Sequence, residues 1–295
     1  MSRMRELIGR IRNLPTLPVV IAKLTRLLAD PETSVKRVTR LLAEDQALTA
    51  KLLKLANSAY YGFAGQVASV SQAVVMLGFG GVRDVALSAS VIDLFGSGGE
   101  GDELSELFPV DRFWEHSIGV GVACRALARS LRWPDPEEAF VAGLLHDIGK
   151  LIMLQHTPGD LLRVLRLCHD EGLTFVDAEA RCDVSHAALG RLLVEQWKLP
   201  ERISEPVGFH HQVRPKRATA RVTAAVQFAD AFARGRGVGR SGDDFIPRVQ
   251  PEVAEMPGID DLDMDVYIER FDEEMRKASV FLELAGGLQG EGEPG

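Results

Sequence analysis

Apolar residues recur at intervals of three and four along most of the chain. In residues 17–30, Val20, Leu24, Leu27 and Leu28 fall on one stripe of a helix. Such spacing is typical of an amphipathic helix that buries one face. The same spacing recurs in residues 34–45, 45–62 and 69–95. Because no sustained run alternates apolar and polar residues, the sequence predicts an all-α protein.

Glycine interrupts this helical pattern at three places. Gly78–Gly81 divides the 69–95 segment into two predicted helices, and the polar, glycine-rich residues 96–106 separate two larger regions. Residues 234–244, RGRGVGRSGDD, are predicted to form a mobile loop, and no role is assigned to them. The chain is therefore predicted to form two helical lobes and a flexible tail. The predicted bounds are 1–105 for the N-terminal lobe, 106–285 for the second lobe and 286–295 for the tail.

Composition and charge limit the environment in which the chain works. Of its 295 residues, 46% are hydrophobic and 26% are charged, which is ordinary for a globular protein. The net charge of −8 argues against a general nucleic-acid binder. The start of the chain lacks an apolar signal core, and no apolar run approaches the roughly 20 residues of a membrane span. Three cysteines without a CxxC spacing favour reduced thiols, so we expect a cytoplasmic protein that binds neither nucleic acid nor membrane.

Several histidines and aspartates of the second lobe occupy positions where a polar side chain is awkward. His116, for example, shares its helical face with Val120, Ala123 and Leu127, and therefore points inward. The other members of this set are His146, Asp147, His186, His210, His211 and Asp230. They occur in the order H…HD…H…HH…D over successive predicted helices.

Such a set is well suited to hold a divalent metal ion. Burying an ionised carboxylate costs several kcal/mol unless it is paired or binds a metal, and Asp147 and Asp230 are both predicted to be buried. Imidazole and carboxylate together suit Fe, Mn, Zn or Ni better than ions that prefer only oxygen. A single inward histidine is more often a hydrogen-bonded core residue. The residues alone therefore leave two alternatives, a metal site or a histidine-rich core without metal.

The same residues resemble known families. His116, His146-Asp147 and Asp230 resemble the metal-binding signature of the HD superfamily of phosphohydrolases. His186 and His210-His211, together with the sequence HDIGK, resemble the cyclic-dinucleotide phosphodiesterase branch called HD-GYP. In the first lobe, the LPTLP opening and LANSAYYG resemble the HDOD domain, an HD-related output domain of bacterial signalling proteins. This last resemblance runs from about Leu14 to Ala233.

The HDOD resemblance implies an all-α fold in which an N-terminal helical bundle packs on an HD-like domain. HDOD proteins are usually regulatory, and many have lost the HD ligands that this chain keeps. The chain also departs from HD-GYP proteins, since HHQVRP stands where they carry their glycine-tyrosine-proline element. Arg112 stands one turn before His116, where they typically have a glutamate. These departures count against a third metal ion and against cyclic-dinucleotide cleavage.

The HD resemblance also implies a role for each residue of the set. One ion would be held by His116, His146, Asp147 and Asp230. A second would be held by His186, His210 and His211, with Asp147 bridging. Two ions about 3.5–4 Å apart can stabilise both oxygens of an in-line phosphoryl displacement. Asp147 and Lys150 are then the catalytic candidates, with Lys150 neutralising a phosphate oxygen; the alternative for Lys150 is a solvated lysine after a helix end.

Three functions remain open at this point. The first is a regulatory HDOD protein that keeps a divalent-metal site with one or two ions and acts through protein interaction or ligand sensing. Its expected partners are signalling proteins, with a nucleotide as a possible ligand. The second is a metal-dependent phosphohydrolase or phosphodiesterase that acts on a nucleotide or cyclic dinucleotide. The third is a helical module in which hydrogen bonds satisfy the histidines and no metal binds.

Overall fold

Helices form the regular structure of this protein in a computed structural model. The structure describes residues 11, 14–28, 30–96, 103–214 and 217–286. No strand occurs in this described part, which confirms the predicted all-α class. In chain order, the first helices are α1 (Val19–Leu28), α2 (Val35–Leu42), α3 (Gln46–Ala56), α4 (Val70–Phe95), α5 (Glu103–Leu107), α6 (Val110–Ser130), α7 (Pro136–Leu145) and α8 (Ile148–His156). They are followed by α9 (Pro158–Glu171), α10 (Phe175–Cys182), α11 (His186–Gln196), α12 (Glu201–Phe209), α13 (Ala220–Gly235), α14 (Pro251–Ala254), the 3-10 helix Ile259–Asp261, α15 (Met264–Lys277) and α16 (Ser279–Leu284).

Contacts group the chain into two compact units. The larger unit consists of Met1–Pro15 and Gly98–Phe271, and the smaller unit of Thr16–Ser97 and Asp272–Gly295. This grouping differs from the predicted lobes at both ends, because Met1–Pro15 belong to the larger unit and the residues after Phe271 to the smaller unit. The predicted linker at 96–106 and the predicted tail lie mostly outside the described residues.

Aromatic packing and an ion pair hold the C-terminal segment within the smaller unit. The ring of Phe281 on α16 lies 5.0 Å from the ring of Tyr60, edge to face. Lys54 on α3 pairs with Glu283 at 2.7 Å. These contacts join residues far apart in sequence, so the helical spacing on which the predicted lobes rest does not reveal them.

The helices of the smaller unit bury the stripes that their sequences predict. Leu24, Leu42 and Leu52 are inaccessible to solvent. In α4 the backbone of Gly78 leaves the helical conformation, with φ 72° and ψ 173°, so the predicted break between two helices lies there. A residue with a side chain is strongly disfavoured in this region of φ and ψ, and glycine can adopt it because it has none.

Helix α4 also bears on the expectation that no segment could cross a membrane. Among the described helices, it alone has the length and apolar composition of a possible span, and 61% of its apolar window is buried inside the structure. Its buried residues include Val74, Val82 and Ile92. The apolar character of α4 therefore serves the core of its own unit.

Small residues let the helices of the larger unit approach one another closely. A Cβ on Gly143 of α7 would lie 2.8 Å from the carbonyl oxygen of Val120 on α6. Similarly, a Cβ on Gly121 of α6 would lie 2.9 Å from the carbonyl oxygen of Phe140. Helix α13 packs on α6, and α8 packs on α11. These five helices carry most of the predicted site.

Candidate metal centre

The larger unit brings all seven predicted ligand residues into one cluster. They come from α6 (His116), the α7–α8 junction (His146 and Asp147), the start of α11 (His186), the residues after α12 (His210 and His211) and α13 (Asp230). All of them are buried except His211, which is partly buried. The remaining two histidines, His156 and His169, do not take part.

The chain turns at the His146-Asp147 pair. Helix α7 ends at Leu145 and α8 begins at Ile148, so both side chains lie at a junction between helices. Gly149 lies inside α8. A Cβ there would stand 1.9 Å from the carbonyl oxygen of His186, so the absence of a side chain lets α8 lie directly against α11. This close approach brings Asp147 next to His186.

Asp147 lies between two groups of imidazoles. Its Oδ1 is 3.1 Å from Nε2 of His186 and 3.5 Å from Nε2 of His210. The Nε2 atom of His211 is 3.1 Å from that of His186. Ligand atoms from these four residues all lie within 4.8 Å of one another, which is close enough to surround one ion.

A second group shares Asp147 with the first. Ligand atoms of His116, His146 and Asp147 also lie within 4.8 Å of one another. Nε2 of His146 is 3.4 Å from Oδ2 of Asp147, and Nε2 of His116 is 3.2 Å from Oδ1 of Asp230. Asp147 is common to both groups, whereas Asp230, which the HD resemblance assigns to the ion of His116 and His146, belongs to neither.

Hydrogen bonds at Nδ1 orient three of the imidazoles. His146 donates from Nδ1 to the carbonyl oxygen of Gly143 at 2.7 Å, and His210 donates to that of Val207 at 3.1 Å. His186 donates from Nδ1 to Oε2 of Glu179 at 2.8 Å. Each bond leaves the Nε2 lone pair directed into the cluster, as in most histidines that bind metals.

Three buried atoms of the cluster have no hydrogen-bond partner among the described residues. They are Nε2 of His116, Nε2 of His146 and Oδ1 of Asp147. Leaving such an atom unsatisfied in the interior costs about 1–3 kcal/mol each, so native structures rarely keep several together. A divalent cation would accept electron pairs from both imidazole nitrogen and carboxylate oxygen. The donor set therefore fits a metal ion.

Burial keeps several of the imidazoles neutral, the form that binds a metal. Burial lowers the pKa of His116, lowers that of His210 to about 4, and holds that of His211 well below its ordinary value. His186 differs: burial would lower its pKa, but the carboxylates of Glu179 and Asp147 together raise it to about 9.

Both aspartates of the cluster are ionised. Burial alone would raise the pKa of Asp147, but His146 and Lys150 hold it well below the usual range. Arg234 has the same effect on the pKa of Asp230 against the opposing effect of burial.

Lys150 is buried rather than solvated. It lies inside α8, where its Nζ donates to Oδ2 of Asp147 at 2.7 Å and to the carbonyl oxygen of Ser241 at 2.7 Å. The ammonium also lies 4.2 Å from the centre of the Phe175 ring. The ammonium of Lys150 therefore pairs directly with the Asp147 carboxylate at the centre of the cluster.

Sequence reasoning missed the polar residues that surround the ligands. Glu179 on α10 is buried against His186, and Ser241 is buried in the stretch predicted to be a mobile loop. Arg234 donates from Nε to Oδ1 of Asp230 at 2.9 Å and from Nη1 to Asp243 at 2.6 Å. The spacing of four between Asp230 and Arg234 on one helix was the available signal for this pair.

A cavity of about 580 Å³ borders the cluster. Its wall includes Lys150, His211 and Asp230 on the side of the cluster, and the exposed Phe245 and Arg248 on the side of the solvent. A small ligand in this cavity would contact residues of the cluster directly.

Comparison with known proteins specifies the family of this all-α chain. The HDOD domain family matches residues 14–213, which is more than half of the chain. The protein therefore belongs to the HDOD family, as its sequence predicted.

Solved structures and curated relatives agree with this assignment. A crystal structure of an HDOD domain protein with unknown function from Geobacter sulfurreducens is 29% identical, with a TM-score of 0.78, and the match covers 95% of this chain and 96% of that one. A candidate phosphohydrolase from Shewanella amazonensis SB2B has a TM-score of 0.70 at 23% identity, with 95% and 99% covered, which shows the shared fold alone. An uncharacterized protein from Treponema pallidum (strain Nichols) is 26% identical over 208 residues, 69% of this chain and 39% of that protein. This chain thus spans less than half the length of the curated relatives that it matches.

The close approach of α8 and α11 generates a test of the site's scaffold. Gly149→Ala should lower the free energy of unfolding of the larger unit by about 1–3 kcal/mol, because the new methyl group overlaps the backbone at His186. Urea denaturation followed by tryptophan fluorescence reports on this unit, since Trp114, Trp133 and Trp197 all lie in it.

Gly159→Ala on α9 is the matched control. Apart from its chain neighbours and its own helix backbone, no atom of the described residues lies within 4 Å of the added Cβ, so the same substitution should leave stability unchanged or raise it by up to about 1 kcal/mol. Equal stability of the Gly149→Ala variant and the wild type would contradict the close approach.

Proposed function

We propose that this HDOD protein binds a divalent metal ion in the histidine–aspartate cluster and uses the occupied site for regulation. The main support is the set of three buried atoms without a partner, Nε2 of His116, Nε2 of His146 and Oδ1 of Asp147. As they are placed, these atoms form no hydrogen bond among the described residues, although a complementary atom lies 3.1–3.4 Å from each. Imidazole nitrogen with carboxylate oxygen favours Fe, Mn, Zn or Ni.

The residues around the cluster are arranged to support an ion. His146, His186 and His210 are each fixed through Nδ1, so little conformational freedom is lost when Nε2 binds. Asp147 would contribute to the binding site in either group of imidazoles, because both groups include it.

The regulatory part of the proposal rests on the family and on the cavity. A small ligand in the cavity would meet His211 and Asp230, so its binding would be linked to the metal ion. We expect a nucleotide as the ligand class and signalling proteins as partners, in the bacterial cytoplasm. HDOD membership supports this expectation.

The first experiment measures the metal content of the intact chain purified without a tag or chelator. The wild type should contain a near-stoichiometric divalent metal, and Asp147→Asn should weaken metal affinity more than the about 10–100-fold typical of losing an outer residue. His169→Ala is the matched control, since His169 is exposed on α9 and should leave metal binding unchanged. If the wild type binds no metal after incubation with Fe²⁺, Mn²⁺ or Zn²⁺, the proposal is wrong and a helical interaction module remains.

Glu179 provides a second prediction for the same site. Glu179→Gln should lower metal affinity about 10–100-fold, because the neutral amide no longer increases the basicity of His186 through Nδ1. Isothermal titration with Mn²⁺ measures the change. Glu171→Gln, at an exposed glutamate that pairs with Arg181, is the control and should titrate like the wild type. Unchanged affinity of Glu179→Gln would show that this hydrogen bond does not affect the site.

Phosphohydrolase or phosphodiesterase activity is a second candidate function. The cavity beside the cluster favours it, because a phosphate ester could reach the site from solvent. A bound divalent ion would supply the Lewis acid that such a reaction needs. Lys150 argues against it, since the hydrogen bonds of its ammonium to Asp147 and Ser241 leave it poorly placed to bind a phosphate.

Hydrolysis assays distinguish the two functions. We expect the metal-loaded wild type to leave bis(p-nitrophenyl) phosphate and cyclic dinucleotides intact, at rates equal to those of Asp147→Asn. Turnover by the wild type that Asp147→Asn abolishes would instead establish the enzyme.

A further inference from the structure

The two oxygens of the Asp147 carboxylate have different partners. Oδ2 accepts hydrogen bonds from Nζ of Lys150, at 2.7 Å, and from Oγ of Ser241. A carboxylate oxygen has two lone pairs in the plane of the group, so these two donors use both. Oδ1 forms no hydrogen bond among the described residues, although Nε2 of His186 lies 3.1 Å from it. Oδ1 is therefore the oxygen available to bind an ion.

Lys150 and Ser241 are held firmly in these positions. The ammonium of Lys150 donates to Asp147, to the Ser241 carbonyl oxygen and to Ser241 Oγ at 2.9 Å, which uses all three of its hydrogens. Lys150 and Ser241 are each only 1% exposed. Because water cannot readily replace these bonds, breaking them would leave buried polar groups unsatisfied.

The backbone around Ser241 is anchored on both sides. A Cβ on Gly239 would lie 2.1 Å from the backbone nitrogen of His116, so this part of the loop lies directly on α6. The next residue, Arg240, donates from its backbone nitrogen to the carbonyl oxygen of Arg112 at 2.9 Å. On the other side, the Asp243 carboxylate accepts from the backbone nitrogen of Phe175 at 2.6 Å. Ser241 therefore cannot move away from Asp147 without disrupting the loop.

Charge also limits how many ions the cluster can hold. Four buried carboxylates lie in or beside it, and two cationic side chains pair with them. The carboxylates are Asp147, Glu179, Asp230 and Asp243, and the cations are Lys150 and Arg234. With every imidazole in the neutral form that binds a metal, His186 included, this set carries a net charge of −2. One divalent ion neutralises it, whereas two would leave an excess of positive charge in a buried site, which is costly.

We infer that the cluster holds a single divalent ion, because Lys150 and Ser241 occupy Oδ2 of Asp147 and leave Oδ1 as its ligand atom, and because one ion balances the net charge of the site. This inference rests on the proposed function and specifies its stoichiometry. Lys150 and Ser241 are then positioning residues that act through Asp147. The sequence is compatible with one or two ions, whereas this arrangement favours one.

Titration with Mn²⁺ tests the inference, with free Mn²⁺ counted by electron paramagnetic resonance. The full-length wild type should bind one tight ion per chain. The double variant Lys150→Met/Ser241→Ala should bind two, because both lone pairs of Oδ2 become free and one positive charge is removed. The spectrum of the bound ions should also acquire the coupling typical of two neighbouring Mn²⁺ ions. Lys36→Met, at an exposed lysine of the smaller unit, is the control and should bind one ion.

The outcomes separate this inference from the proposed function. No bound Mn²⁺ in the wild type would overturn both. Two ions in the wild type, or one ion in a double variant with native tryptophan fluorescence, would overturn the single-ion inference and leave metal binding intact. If the double variant fails to fold, Ser241→Ala alone serves instead. The Ser241→Ala variant should bind a second Mn²⁺ ion, with lower affinity than the first. Failure to bind a second ion counts against the inference.

Discussion

The ionised carboxylate of Asp147, buried in the interior of the larger unit, is the constraint on which the site depends. An isolated charge at such a position would be too costly to keep, so the surrounding structure has to compensate it. Lys150 and Ser241 donate hydrogen bonds to Oδ2, and Oδ1 faces the imidazole of His186. The helix junction, the packing of α8 on α11 and the course of residues 234–244 all serve this one side chain. A change to any of them would alter the electrostatics of the whole cluster.

The all-α fold and the inward position of the histidines and aspartates could be predicted from the sequence because both depend on local patterns. Helical spacing marks the buried face of each helix, and a histidine such as His116 on an apolar face is conspicuous. The surrounding shell could not be predicted in the same way. Glu179 and Ser241 look like ordinary surface residues, and the role of Gly149 depends on a helix that begins more than thirty residues later. Their functions arise from tertiary contacts, which no spacing along the chain encodes.

The glycine-rich stretch 234–244 shows how composition can mislead. Glycine and arginine in alternation predicted a mobile loop, and several of these glycines do adopt the left-handed backbone that favours glycine. Here that freedom is used to follow the surface of α6 closely, with Gly239 against His116. Flexibility in the unfolded chain and a fixed position in the folded one are compatible, because glycine supports tight backbone contacts that other residues prevent.

The position of Ser241 along the chain has a practical consequence for anyone who isolates the domain. The family match ends at residue 213, which would include six of the seven predicted ligands. A fragment cut there would lack Asp230 and Ser241, and Lys150 would lose every oxygen partner except Asp147. Such a fragment would still match the family, but it would not contain the complete histidine–aspartate cluster. A fragment that keeps every residue of the cluster and its hydrogen-bonded neighbours has to extend beyond the family match, to at least Asp243.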